Sequence, residues 1–566
     1  MTEACSHSEG KIITGPPLPL ERYGVAIILV TAAIMRLSVF VGFTTLPFYH
    51  NYRLDALYYH EAGLRWASGD WLLGQGVLSM SPLYSLFVGF LYRIFGHHPA
   101  VVPLAQICLS VLTVWLIMDM ADRLWNRRLA LLAGGIASFY GPLAFYPCLT
   151  IATTLATYLS TMTLRQAIIA IQSEPSARKW FWVGVALGLS SITRPNALIL
   201  APVLFGFALF GNRKPISWRT FFPVIILTLT TTVVIAPVTL RNFIVTGEPV
   251  LITSSGGLNF YLGNGKDAHG TFRIPPSMPQ ATHANAQFYI FRAVAEKTMG
   301  RKLSSREVSR FWYTQTWSEI SEDPMNWLWL LLRKVQLFWS AHELANTHDY
   351  GFHRQINPAF AIPWLAFGLL GPFAMLGLYG FLRRGTPAER SVATISLAWM
   401  VAVVSFFVIA HYRLPAVPGL ILAAVAGLRI AVSAMRSRSI TRIAGVALWL
   451  GIGGVLALAP TFAPNHDEEY FKMGYAWHVL GHLEKAKQAY FQALALNPEH
   501  ISAHKNLARL YMTHGERHLA ILHWRRILEL ANKKGLLERV HEATVNLQQL
   551  IVTSGHRIPA SRPGIR

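Results

Sequence analysis

A chain of 566 residues that is 53% hydrophobic and only 14% charged is too apolar for a water-soluble globule of its size, so the implied solvent is a bilayer. The formal net charge of +22 would suit nucleic acid, but the Lys and Arg residues come in short groups between apolar runs, such as Arg123, Arg127 and Arg128 or Arg213, Lys214 and Arg219. That is the pattern of cytoplasmic loops, and no concentrated basic patch with interleaved aromatics accompanies it. Three cysteines, Cys5, Cys108 and Cys148, are too scattered for a disulfide framework or a zinc site.

Apolar runs of about 20 residues recur through residue 460, and each is long enough to cross the hydrocarbon as a helix. The predicted fold is therefore all-α and polytopic, with about eleven spans at 23–43, 100–121, 129–147, 149–171, 180–193, 196–211, 219–240, 358–381, 391–410, 414–433 and 441–460. Residues 1–22 read as a cytoplasmic N-terminus, and 23–43 as a retained anchor, because it is longer than a signal-peptide core and lacks a small-x-small cleavage site. Basic groups at Arg178/Lys179, Arg383/Arg384 and Arg436/Arg438/Arg442 then fall inside, and the C-terminus lies in the periplasm of a bacterial inner membrane. This alternation closes only if the apolar segment 80–96 lies on or dips into the outer face without crossing.

Two external loops, 44–99 and 242–357, interrupt the membrane domain 23–460. In the second, Trp327 to Trp339 is Trp-rich but broken by Arg333 and Lys334, which suits a helix lying at the interface. Beyond 465 the composition turns soluble and a self-similarity with a spacing of 34 residues appears: Gly474, Trp477, Gly481, Ala486, Tyr490 and Ala493 align with Ala508, Tyr511, Gly515, Ala520, Trp524 and Ile527. Small and aromatic positions at these offsets predict a periplasmic tetratricopeptide-like domain over 465–566, capped by a helix near 535–552. Two repeats bury little core, so the domain is expected to lean on the membrane domain or on a protein partner or acceptor.

The first external loop carries the chemistry. Asp55 opens a helical pattern in which Leu54, Tyr58, Ala62 and Trp66 form one membrane-facing stripe, while Asp55 and Tyr59 stand together at i,i+4. Desolvation at the rim of an apolar site raises the pKa of a carboxyl and makes it a usable general base. The same acid would also serve as a helix cap or as a solvated group on an interfacial helix. Arg36 interrupts the middle of the first span, where a cation requires internal partners. Gly263-Asn264-Gly265-Lys266-Asp267 looks like a phosphate loop but lacks the earlier Gly and the following Ser/Thr. The outer loops show no cluster of acids or histidines at ligand spacing, and His97-His98 reads as a polar turn, so no metal or cofactor is assigned.

The loop from Asp55 through Ser81-Pro82-Leu83-Tyr84 resembles the D-x-x-x-Y…A…G-D…S-P-L-Y pattern that opens the GT-C superfamily of glycosyltransferases, in the bacterial branch related to dolichyl-phosphate-mannose–protein mannosyltransferases (family 39-like). Further matching pieces are Thr193-Arg194-Pro195-Asn196, the run Pro237 to Asn242, the stretch Gly256 to Gly270, Glu343 with Asn346 and Tyr350, and Tyr412-Arg413-Leu414-Pro415. The resemblance implies transfer of a sugar from a polyprenyl-phosphate donor to a protein, lipid or glycan acceptor on the outer face, by inverting displacement with Asp55 as base. It also implies a seven-span module with two juxtamembrane helices in the first external loop.

The leaving phosphate calls for arginine, and Arg194, Arg241 and Arg413 all fall at outer ends of spans. His411, Tyr412 and Tyr59 are expected beside donor phosphate or sugar. Glu343 aligns with a family acid, with a salt bridge to Arg333 or Arg354 as its competing role. Many relatives carry a second acid near the fourth span; here AFYPCLTIATTLATYL has none, so Asp55 acts alone or Glu61, Asp70 or Glu343 substitutes. A transporter or flippase would call for acids and broken helices at mid-membrane in paired halves. A repeat-domain scaffold for cell-envelope polysaccharide assembly would need only a single anchoring helix.

Overall fold

The computed structural model describes residues 19–552 except 175, 211–217, 276–277, 280–283 and 462–465. Cys5, Arg213 and Lys214 thus lie outside the described residues, as does most of the N-terminal segment. Among those described the chain is all-α, its only β feature being one bridge between Tyr140 and Leu365.

Helix α1 (Pro19–Thr44) is followed by α2 (Leu54–Ala67) and α3 (Pro82–Phe95), which pack together as a hairpin. Then come α4 (Val101–Leu124), α5 (Arg127–Phe139), the short α6 (Gly141–Phe145), α7 (Thr153–Gln172), α8 (Ala177–Thr193), α9 (Leu200–Phe210) and α10 (Trp218–Thr246). A long insertion holds α11 (Gly256–Asn264), α12 (Ala284–Met299), α13 (Ser305–Glu322), α14 (Pro324–Trp339) and α15 (Tyr350–Ile356). The apolar bundle resumes with α16 (Phe367–Arg384), α17 (Pro387–Val404), the single turn α18 (Ala410–Arg413), α19 (Val417–Arg436) and α20 (Ile440–Leu458).

Among the described residues five helical segments are long and apolar enough by themselves to cross a membrane: Tyr23–Thr44, Val101–Leu124, Phe221–Thr246, Ala410–Arg436 and Ile440–Leu458. The predicted span 129–147 is instead divided at Tyr140 between α5 and α6, and 358–381 is helical as α16 only from Phe367. The chain is a multi-pass membrane protein. Helix α3 has 14 residues, about 21 Å at 1.5 Å per residue, well short of the roughly 30 Å hydrocarbon core.

Arg36 is fully buried inside the bundle. It finds its internal partners without an acid: Nε donates to Ser110 Oγ at 2.8 Å, and the two Nη atoms reach the carbonyls of Ala32, Ala137 and Ser138.

Close backbone approach fixes α16 against α19. A Cβ on Gly377 would stand 1.7 Å from the Ala423 carbonyl oxygen, and one on Gly427 2.0 Å from that of Phe373. Helices in lipid associate largely through such small-residue contacts. Gly377→Ala is therefore expected to force the pair apart and cost about 1–3 kcal/mol, read as a lower unfolding temperature in detergent; an unchanged temperature would show that the contact yields freely.

Two expectations about polarity are corrected. Tyr58 and Ala62 do not face lipid: they are buried against α3, and Trp66 covers Gly89 of that helix. Lys334 does not reach outward from an interfacial helix but is fully buried, with Nζ donating to Asn264 Oδ1 at 2.8 Å. Burial pulls its ammonium down to about 7. The unfolded chain therefore holds more protons at this residue between about pH 7 and pH 10.4, so its contribution to stability rises with pH across that window. Lys334→Met should flatten that rise in a pH series of unfolding temperatures; an equal slope in parent and variant would assign it to other groups.

The C-terminal helices α21 (His466–Val479), α22 (Leu483–Leu496), α23 (Ile501–Thr513), α24 (Arg517–Lys533) and α25 (Leu537–Val552) pack in sequence. Ala486, Tyr490, Ala508, Ala520 and Trp524 are fully buried in their own core. Helix α21 leans on the bundle: Tyr470 meets Phe352 edge-on at 4.8 Å, Tyr475 lies 4.7 Å beneath the Arg53 guanidinium, and Lys472 Nζ reaches the Thr347 carbonyl at 3.4 Å.

Candidate functional site

Asp55 lies in the first turn of α2, partly buried, where the helix dipole favours a carboxylate. The residue before it, Leu54, has φ +48°, a left-handed conformation that costs a residue with a Cβ about 1–2 kcal/mol. Strain of this kind persists where surrounding structure over-determines it, and here it re-aims the chain at the point where the acid is presented.

Asp55 lines a cavity of about 170 Å³ together with Tyr59, Arg194, His411 and Tyr412. These residues come from three separate segments of the chain. The rest of the wall is mostly small and polar: Ser79 and Ser81 before α3, Thr153 at the start of α7, Asn196 after α8, and Ser255 and Asn259 at α11. A smaller chamber of about 30 Å³ shares Asp55, Ile151 and His411 with the first and is completed by Tyr52, Arg53, Tyr146 and His348. Asp55 is the one carboxylate lining either chamber among the described residues. Glu61 and Asp70, named as substitutes, line neither.

Arg194 is delivered to the cavity by the end of α8. Pro195 disfavours helix for the residue before it, and Arg194 is extended at φ −141°, ψ 108°. Its Nη2 donates to Thr153 Oγ1 at 3.1 Å, and its guanidinium carbon stands 4.3 Å from the centre of the Tyr412 ring. The Nε is buried and has no hydrogen-bond partner. Tyr59 is buried, accepts the Ser81 N–H at 3.4 Å, and has its hydroxyl pKa raised, first by burial and then by the Asp55 charge, with Arg194 opposing.

The other two arginines have different duties. Arg241 donates from Nε to Leu72 O at 2.7 Å, from Nη1 to Gly76 O at 2.6 Å and from Nη2 to Gly74 O at 2.8 Å, so it clasps the turn between α2 and α3. Its neighbour Asn242 donates to the carbonyls of Val250 and Ile252 and accepts the Leu78 N–H at 3.5 Å, tying the second loop to the first. Arg413 is buried in an ion pair with Glu343 at 2.8 Å, donates to the carbonyls of Phe338 and Ser340, and stacks 3.7 Å from the Phe367 ring. Tyr140 donates to the remaining Glu343 oxygen at 3.2 Å. Glu343 therefore pairs with neither Arg333 nor Arg354, and neither it nor Arg413 lines a chamber. Thr153, Ser255 and Asn259 stand out nowhere in the sequence, because their uncharged side chains carry no individual signal.

Beside the cavity runs an apolar groove of about 560 Å³ between α8, α9 and α10, lined by Leu187, Phe205, Ile235 and Leu240 among others. Leu198 and Leu251 border the groove, whereas Asn196 and Thr253, two residues away from each, border the cavity.

Residues 79–240 match the family model of dolichyl-phosphate-mannose-protein mannosyltransferase. No curated protein matches the chain. Among solved structures it is similar to the apo oligosaccharyltransferase of Archaeoglobus fulgidus at 13% identity and a TM-score of 0.43, over 80% of this chain and 58% of that one, so it spans less than two thirds of that relative's length. It is also similar to ArnT from Cupriavidus metallidurans, in the apo state (14% identity, TM-score 0.43, 80% of this chain and 68% of that one) and bound to undecaprenyl phosphate (15%, 0.31, 80% and 91%).

Proposed function

We propose, for a chain that carries the module of a membrane glycosyltransferase family over residues 79–240, that it transfers a sugar from a polyprenyl-phosphate donor to an acceptor at the periplasmic face of a bacterial inner membrane. The observation that carries this reading is that one cavity holds both Asp55, the one carboxylate lining it among the described residues, and an arginine that keeps an unspent buried donor. Asp55 takes the proton of the acceptor's O–H or N–H as the acceptor atom attacks the anomeric carbon from the face opposite the leaving group. The bond from that carbon to the phosphate oxygen breaks, and the phosphate's developing charge falls to Arg194. Tyr59, His411 and Tyr412 shape the sugar's seat.

The apolar groove along α10 suits the donor's hydrocarbon chain, because its borders meet those of the cavity at two places. Arg241, Arg413 and Glu343 act at one remove by holding the loops in place. The C-terminal helices present the acceptor or an assembly partner to the same face.

The test is transfer of radiolabelled sugar from a panel of polyprenyl-phosphate sugars by the chain in nanodiscs. Absence of transfer from every donor, or accessibility labelling that places position 55 on the cytosolic side, would overturn the reading. Arg194→Lys keeps the charge but loses the planar fork that matches phosphate, so KM for the donor is expected to rise about tenfold. An unchanged KM would detach Arg194 from the phosphate.

A further inference from the structure

A second cluster lies beyond the smaller chamber, where the C-terminal helices meet the bundle. His348 and His353 come from the segment around the start of α15, and Glu469 from the first turn of α21. One ligand atom from each lies within 4.8 Å of the others. His353 is fully buried and Glu469 is 3% exposed.

The polar atoms gathered there lack partners. Nδ1 of His348, both ring nitrogens of His353 and Oε2 of Glu469 are buried with no hydrogen bond. A neutral imidazole has one N–H to give and one lone pair to offer, so His353 leaves both capacities unused. Buried polar groups are nearly always satisfied, and each orphan costs about 1–3 kcal/mol. Three side chains that each carry an unpartnered buried atom and bring one ligand atom within 4.8 Å of the others indicate a shared partner, and two imidazoles with a carboxylate are the donor set of zinc-class divalent ions.

The surroundings hold these donors in place. Lys472 Nζ donates to the other Glu469 oxygen at 2.7 Å, which leaves Oε2 for the cluster. Phe48 packs edge-on to His348 at 4.7 Å, and Phe360 stacks on His353 at 5.4 Å. Lys472 and Arg53 bring positive charge towards the cluster and Asp349 brings negative charge. Tetrahedral zinc with ligands near 2.0–2.1 Å calls for donor separations of about 3.4 Å, which small side-chain rotations supply.

We infer that His348, His353 and Glu469 form a binding site for a zinc-class divalent cation, with three protein ligands and a fourth position open to water. Such an ion joins α21 to the loop whose His348 also lines the smaller chamber beside Asp55. It therefore fastens the C-terminal helices to the wall of the candidate active site, whatever reaction that site performs.

The test uses the full chain in nanodiscs, stripped with chelator, reloaded with zinc chloride and desalted. Metal content by mass spectrometry should approach about one zinc per chain in the parent and fall roughly tenfold or more in His353→Ala and in Glu469→Gln. Zinc should also raise the unfolding temperature of the parent and leave that of Glu469→Gln unmoved. Glu469→Gln preserves shape and can still accept from Lys472, so it keeps the test decisive if the histidine variant does not fold. A parent that retains no zinc, or variants that retain as much and are stabilised as much, would overturn the site.

Discussion

Replacing Asp55 by asparagine will slow sugar transfer by about two to four orders of magnitude while leaving the purified protein's unfolding temperature close to that of the parent. The size follows from the work assigned to the group. A positioned general base contributes typically 10²–10⁴ in rate, and among the described residues Asp55 is the one carboxylate lining either chamber, so none of them is placed to take over. Asparagine has nearly the same volume and can still accept a hydrogen bond, but it cannot hold the acceptor's proton. Asp55→Glu, which moves the carboxylate by one methylene, should retain a measurable fraction. Transfer assays on parent, Asn, Ala and Glu variants decide the matter: equal rates for all four remove this residue from the reaction.

The second large effect concerns stability. Arg413 and Glu343 have side chains only 3% and 8% exposed, 2.8 Å apart. Removing one partner of such a pair leaves an uncompensated buried charge and costs about 3–5 kcal/mol. Arg413→Met also strips the Phe338 and Ser340 carbonyls of their donor, so it should lower the unfolding temperature sharply and reduce the yield of folded protein. The double variant Arg413→Met/Glu343→Leu should recover part of the loss, because both charges are then gone. A double variant as unstable as the sum of the singles would show that the two charges are not coupled and that Arg413 matters only through its carbonyl contacts.

The apolar runs were legible because a bilayer leaves a continuous apolar segment few choices besides helix. Asp55 was legible for a similar reason: an acid in an otherwise apolar or aromatic setting stands out. The three arginines were not separable, since Arg194, Arg241 and Arg413 all fall at outer ends of predicted spans. What distinguishes them is whether their donors are consumed locally by carbonyls such as those of Leu72 and Phe338, and sequence position does not carry that information. The stripe of Tyr58 and Ala62 was misjudged because an apolar helix face looks the same whether its neighbour is α3 or a lipid tail. The His348, His353 and Glu469 cluster was invisible because one ligand is contributed by a distant stretch of chain that only folding brings close.

Tyr475 packed beneath the Arg53 guanidinium has a mechanical corollary. A displacement of α21 also tugs on the residue two places ahead of Asp55. Because energetic coupling is reciprocal, a shift of α21 should alter the setting of Asp55, and a change at Asp55 should be felt by α21. The distal helices are thus levered against the entrance of α2.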